Sequence, residues 1–216
     1  MKFGTYCEIA STWPGSGRHI LASHDAESLV VYQAYRPAIG RHAAEHQRFG
    51  GEFSFSRMSW IKPNFLWMMY RSGWGAKEGQ EVILAVTIPR SLFDEILAVA
   101  VPSSFDPARY QGVDEWKAAL EKSEVRLQWD PDHAPDGSPE KRRAIQLGLR
   151  GGMLRRYAET EVIRIGDISE FVAEQRELVS SSRHRLRLPF EGVYRPSRED
   201  AIRAVGLDVI VNPCMP

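Results

Sequence analysis

Two runs dense in β-branched and aromatic residues, LVVYQAY at Leu29–Tyr35 and EVILAVTI at Glu81–Ile88, set the strongest limit on how this chain folds. Both read as buried strands, and each is followed by a proline and then by sequence with helical spacing. Pro37 suits the first turn of a helix that runs to about Arg48. After Pro89, the residues Leu92, Phe93, Ile96 and Leu97 share one face of a helix over Arg90–Val99. Strand followed by helix, twice, implies a sheet with helices packed on it.

The remaining segments are less regular. Residues 1–27 are rich in Ser, Gly and His around Trp13-Pro14-Gly15 and read as an irregular lead-in. A helix is predicted over Asp114–Lys122, a half-exposed strand over Val125–Trp129, and a surface loop over Asp130–Pro139, which holds three prolines and a glycine. A strand at Ala144–Leu149, a helix at Met153–Glu159, a strand at Val162–Ile165 and a helix at Ile168–Leu178 follow. A tail from residue 180 carries a short helix near Arg198–Val205 and a last strand at Asp208–Val211. Strands separated by helices of uneven length predict an α+β fold, one mixed-sheet domain over residues 1–216 with irregular connections, the lead-in and tail lying on or near it.

At 216 residues such a domain buries about 70% of its unfolded surface. The 28 basic residues balance the 28 acidic ones, so no net field steers the molecule toward nucleic acid or an anionic membrane, and any affinity for anions has to be local. Basic residues do bunch, at Lys141–Arg143, at Arg150 with Arg155 and Arg156, and at Arg183, Arg185 and Arg187. Cys7 and Cys214 form no C-x-x-C spacing, which suits a reduced, cytoplasmic setting. The chain contains neither a secretory leader pattern nor a run of about 18 apolar residues, so no membrane partner is expected.

The segment SRMSWIKPNFLWMMYRSGW, residues 56–74, concentrates the aromatic and basic residues. Its helix, from Pro63 to Arg71, is apolar around nearly its whole circumference, as a helix buried on most faces would be. Its polar ends admit two readings. Arg57, Lys62 and Arg71 either solvate the ends of a core helix, with Arg71 meeting its last carbonyls, or project from an apolar wall toward an anionic ligand. Arg36, at the outer end of the first strand, and Arg150, ahead of Gly151-Gly152 at a helix start, stand where ligands of mixed sheets tend to sit. Tyr70 and Trp74 offer rings for stacking. Glu81 opens its strand just after the Gly79-Gln80 turn, either as a solvated carboxylate or as an acid reaching the same pocket.

Other chemistries leave weaker traces. His42-Ala43-Ala44-Glu45-His46 matches H-x-x-E-H and would set two histidines one helical turn apart, but the sequence identifies no third ligand, and no metal is expected. The Asp130, Asp132, His133 and Asp136 group lacks an EF-hand's closing Glu. There is no G-x-S-x-G elbow, phosphate-binding P-loop or dinucleotide G-x-G-x-x-G.

Four blocks, VVYQAYRP from Val30, RMSWIKPNFLWMMYRSGW within residues 56–74, VRLQWDP from Val125 and AIQLGLR from Ala144, resemble the hallmark blocks of the domain-of-unknown-function family 4291. The resemblance spans roughly residues 29–172 and implies no activity. In layout alone the chain is also similar to ADP-ribosyltransferases, which bind NAD in a cleft of a mixed sheet. That likeness implies phosphate held by Arg36, nicotinamide stacked on Tyr70 or Trp74, and ribose polarised by Glu81. The chain departs from it in having no Ser-Thr-Ser block before the Glu.

Two functional expectations follow. One is an enzyme that binds a nucleotide-type anion, NAD foremost, in an arginine-lined pocket formed by Arg36, Arg57, Lys62, Tyr70, Arg71, Trp74 and Arg150, with Glu81 as the acid of an ADP-ribosyltransferase-like transfer. The other is a non-catalytic module for RNA or single-stranded nucleic acid, its aromatic rings stacking bases and its basic runs following the backbone.

Overall fold

A computed structural model describes residues 1–208. In chain order the elements are β1 (Phe3–Thr5), α1 (Tyr6–Ala10), β2 (Gly17–Arg18), β3 (Ile20–Ala22), β4 (Ser28–Tyr35), α2 (Pro37–His46), β5 (Ser59–Ile61), α3 (Phe65–Ser72), β6 (Val82–Pro89), α4 (Arg90–Ala98), β7 (Val101–Pro102) and α5 (Val113–Lys122). Then come β8 (Val125–His133), β9 (Pro139–Leu149), α6 (Gly151–Arg155, continued by a π turn), β10 (Arg164–Asp167), α7 (Ser169–Ser181), β11 (Arg187–Pro189), β12 (Gly192–Tyr194) and α8 (Glu199–Val205). Among the described residues no helix is long and apolar enough to cross a membrane.

The two apolar runs pair with each other. β4 and β6 lie antiparallel along their full lengths, from Ser28 opposite Pro89 to Tyr35 opposite Val82, and β10 covers the other edge of β6. Alternation along β6 explains why the run is unbroken: Val82, Leu84, Val86 and Ile88 belong to one core, while Ile83 and Ala85 belong to a second on the opposite face. α2, α4 and α8 contribute Ala43, Leu92, Phe93 and Val205 to the first core, and α3 and α7 contribute Phe65, Met69 and Val172 to the second. α2 sits so close to β6 that a Cβ on Gly40 would lie 2.4 Å from Val82 Cγ1. Only glycine permits that approach.

A second sheet is built on β9, with β8 and then β7 on one side and β5 and β2 on the other. The two sheets join at one residue pair just past β5. Tyr32 N–H donates to the Lys62 carbonyl at 2.7 Å and Lys62 N–H returns a bond to the Tyr32 carbonyl at 3.2 Å. The result is one curled mixed sheet in an α+β fold.

Several sequence expectations need correction. The segment Asp130–Pro139 is no simple loop: β8 continues to His133 and β9 begins at Pro139, leaving Ala134–Ser138 as the turn, with Gly137 at φ 85°. Pro131 is tolerated because it lies beyond the part of β8 that pairs with β7, at a register irregularity before His133. The lead-in is likewise structured, since β1 pairs with β11, β3 with β12 and β2 with β9. Two- and three-residue strands carry no readable period, and their partners lie far along the chain, in β9, β11 and β12. The helix predicted from Pro63 starts two residues later, at Phe65, because the Asn64 side chain caps it by accepting from Trp67 N–H at 2.6 Å. Of the expected strand Asp208–Val211, all but Asp208 falls outside the described residues.

Candidate functional site

The seam between the two sheets leaves a cavity of about 790 Å³. Its walls come from the end of β4, the irregular stretch from Glu52 to Trp60, Lys62, one side of α3 through Met68 and Arg71, the Gly79-Gln80 turn, and Gln128 and Gln146 on the β8–β9 hairpin. Each wall is a different segment, brought together by the bridge at Tyr32 and Lys62.

A polar network underlies the cavity. Gln33, 2% exposed at the centre of β4, donates from Nε2 to Tyr35 Oη and to Ser59 Oγ, both at 2.8 Å, and its Oε1 accepts from Tyr157 Oη at 2.7 Å. Tyr35 Oη and Ser59 Oγ lie 2.6 Å apart. Burial raises the Tyr35 phenol above its usual range, against the opposing bonds to Ser59 and Gln33. All these groups are satisfied within the protein, so they form a rigid floor.

The cations over that floor are less fully engaged. Arg36 and Glu52 meet at 2.5 Å, both well exposed, a pairing worth little in water. Among the described residues neither Arg57, Lys62 nor Arg71 has a carboxylate within 4.0 Å. Arg57 and Arg71 are exposed at the rim. Lys62 is only 5% exposed, and among the described residues the one acceptor its Nζ reaches is the Trp60 carbonyl, at 3.4 Å. Desolvation, and then the charge of Arg71, lower its pKa to about 8, with Asp130 opposing. Asp130 itself accepts from Gln146 Nε2 at 2.6 Å.

The other residues singled out in the sequence are placed differently. Glu81 is exposed beside the rim, its Oε1 accepting from Gly79 N–H at 2.8 Å, and it does not line the cavity. Tyr70 stacks on His133 with ring centroids 3.5 Å apart, outside the lining. Trp74 is buried with its Nε1–H donating to the Pro135 carbonyl at 3.1 Å. Arg150 is turned to the backbone of α5, donating to the carbonyls of Ser123 and Glu121. The helix start beyond it is occupied by the chain's own anion: Glu124 accepts from Gly152 and Met153 N–H, both at 2.8 Å. His42 and His46 stack at 4.0 Å, and among the described residues no group of three or more His, Cys, Asp or Glu side chains is arranged to hold a metal.

Sequence reasoning did not single out Gln33, Ser59, Gln128, Gln146 or Glu52. Gln33 did leave a signal, a lone amide inside an otherwise apolar strand. The two hairpin glutamines left none.

An α+β protein with a cation-lined cavity at the joint of a curled sheet is the class that this geometry defines. The chain belongs to the family described as Domain of unknown function (DUF4291), whose model matches residues 19–194. That span contains every lining residue of the cavity and the whole tryptophan-rich block. No curated protein matches the chain.

Proposed function

We propose that the chain is an enzyme that binds a nucleotide-type anion in the seam cavity. The observation that carries this reading is the set Arg57, Lys62 and Arg71, three cations without a carboxylate partner among the described residues, around a space of about 790 Å³. Cations are normally paired when they crowd together, and leaving them unpaired costs stability that an anion would restore. The volume suits a nucleotide, since ligand pockets run from about 300 to 1,000 Å³. Arginine forks at the rim match phosphate oxygens. Trp60 and Phe53 offer aromatic surface for a base or nicotinamide, and Gln80, Gln128 and Gln146 offer amides for its edges.

NAD and ADP-ribosyl transfer are the specific form of this proposal. The acid that such a transfer requires at the ribose is assigned to Glu81, which is hydrogen-bonded to the turn whose residues Gly79 and Gln80 line the cavity. The basic runs support a pocket over a nucleic-acid track, because many of their members are occupied within the chain: Arg142 by Asp132, Arg156 by Glu95 and Glu161, Arg183 by Asp136.

Thermal melting with NAD, ADP, ATP and a short single-stranded RNA tests the proposal. A ligand at one hundred times its dissociation constant adds about 2.7 kcal/mol, or roughly 5–10 °C here. The expected result is a shift with NAD or ADP that Arg71→Gln removes. A shift with RNA alone, persisting in Arg71→Gln, contradicts it. Loss of NAD turnover in Glu81→Gln is expected, and full turnover in that variant removes Glu81 from the assignment.

A further inference from the structure

Anion binding leaves the depth of Lys62 unexplained. Lys2, Lys77, Lys117, Lys122 and Lys141 are all exposed, whereas Lys62 is buried at the cavity wall. Its backbone is held on both N–H and carbonyl by Tyr32, so the side chain leaves from a fixed point of the sheet. Its Nζ meets one carbonyl, at 3.4 Å, which leaves two of three ammonium hydrogens without a protein acceptor among the described residues. Arg57 and Arg71 already supply rim charge for a phosphate. A buried ammonium beside another cation is costly, and the environment favours the free amine, which is how lysine nucleophiles are activated. With its pKa lowered to about 8, about a tenth of the Lys62 side chains are neutral at pH 7.

We propose that Lys62 is an amine nucleophile that takes the carbonyl carbon of a phosphorylated aldehyde or ketone, whose phosphate rests on Arg57 and Arg71. This rests on the reading of the cavity as an anion site and replaces its NAD form, because NAD carries no aldehyde or ketone carbon for an amine to take. The neutral Nζ adds its lone pair to the carbonyl carbon. Both amine hydrogens then leave with the carbonyl oxygen as water, and a carbon–nitrogen double bond remains. Nothing is oxidised or reduced.

The test uses the full chain and pyridoxal 5′-phosphate, an aldehyde that carries a phosphate, followed by borohydride reduction and peptide mass mapping. The expected result is about one label per chain, on Lys62 at least ~10-fold ahead of any exposed lysine, slowed by inorganic phosphate or ADP, and faster at pH 8.5 than at pH 6.5. Pyridoxal without the phosphate should label Lys62 at least ~10-fold more slowly. Lys62→Arg keeps a buried cation and should lose the label while still melting cooperatively, which separates loss of the amine from loss of the fold. Labelling spread over the exposed lysines, with Lys62 no more modified than Lys117, overturns the proposal. If ADP stabilises the chain while Lys62 stays unlabelled, the nucleophile fails and the anion site stands. Equal labelling by the two aldehydes, unprotected by ADP, overturns the phosphate requirement and the anion reading together.

Discussion

Arg142 and Lys62 are both buried cations alongside β9, and they are treated in opposite ways. Arg142, on β9 itself, bonds Asp132 at 2.7 Å and the Pro14 carbonyl at 2.9 Å and lies over the Trp13 ring at 5.1 Å. Lys62, just past β5, has among the described residues one carbonyl at 3.4 Å and no carboxylate. The first cation ties the lead-in to the hairpin, and its charge is matched by the buried carboxylate of Asp132. The second is held by its backbone and leaves its charge uncompensated beside a cavity. A carboxylate partner sets Arg142 apart from Lys62, and the proposed function assigns the ligand to the cation that lacks one.

The largest effect should come from breaking the satisfied site. Arg142→Met leaves Asp132, 1% exposed, as a carboxylate without its partner, and should cost about 3–5 kcal/mol in urea denaturation at pH 7. Burial already raises the Asp132 carboxyl above its usual value, with Arg142 opposing, so the variant should recover part of its loss as the pH falls and that group is protonated.

The same exchange at Lys62 should act with the opposite sign. Its pKa in the fold is lowered from 10.5 to about 8, so the unfolded chain holds the proton more tightly between those values. Wild-type stability therefore rises with pH from about 8 to 10.5, and Lys62→Met lacks that rise. At pH 7 the variant should be more stable, by an amount on the order of 3 kcal/mol before the loss of fit is counted, and the advantage should vanish above pH 10.5. A variant that is less stable at every pH would show Lys62 to be a structural cation like Arg142.

The smallest effect is expected at Glu191, a buried acid away from the cavity. Its Oε1 accepts from Phe65 N–H at 2.8 Å, and desolvation, chiefly, holds its carboxyl well above the ordinary range. The fold therefore prefers it protonated, and its contribution is fully present below about 4.5, the unfolded value, and is lost as pH rises through the folded one. Glu191→Gln keeps the acceptor and removes the titration. Its stability at pH 5 should change by less than about 1 kcal/mol, with a flatter pH profile above that. An unchanged slope would mean that Glu191 is not the titrating group.

The sequence carried much of this contrast, though unevenly. β4, β6 and α2 to α4 were legible because long apolar runs and helical spacing declare themselves locally, and Arg36, Arg57, Lys62 and Arg71 were legible as cations flanking an apolar helix. The distinction between Lys62 and Arg142 was not legible. It depends on which carboxylate lies opposite, and Asp132 reaches Arg142 only because β8 runs past Pro131 into the expected loop. Arg150 looked like a ligand arginine until Glu124 filled the helix start beside it. Gln128 and Gln146 meet Gln33 across the seam at the Tyr32–Lys62 bridge, a contact between segments with no local signature, and the pairing of β1 with β11 is equally remote along the chain.

The most direct measurement is calorimetric titration of ADP into the wild-type chain and into Arg71→Gln, each at low and moderate salt. One saturable site is expected in the wild type, weaker at higher salt because exposed rim arginines hold the phosphates, and at least ~10-fold weaker in the variant. No heat in the wild type, or equal affinity in both chains, would contradict the claim that the unpaired cations of the seam exist to hold an anion.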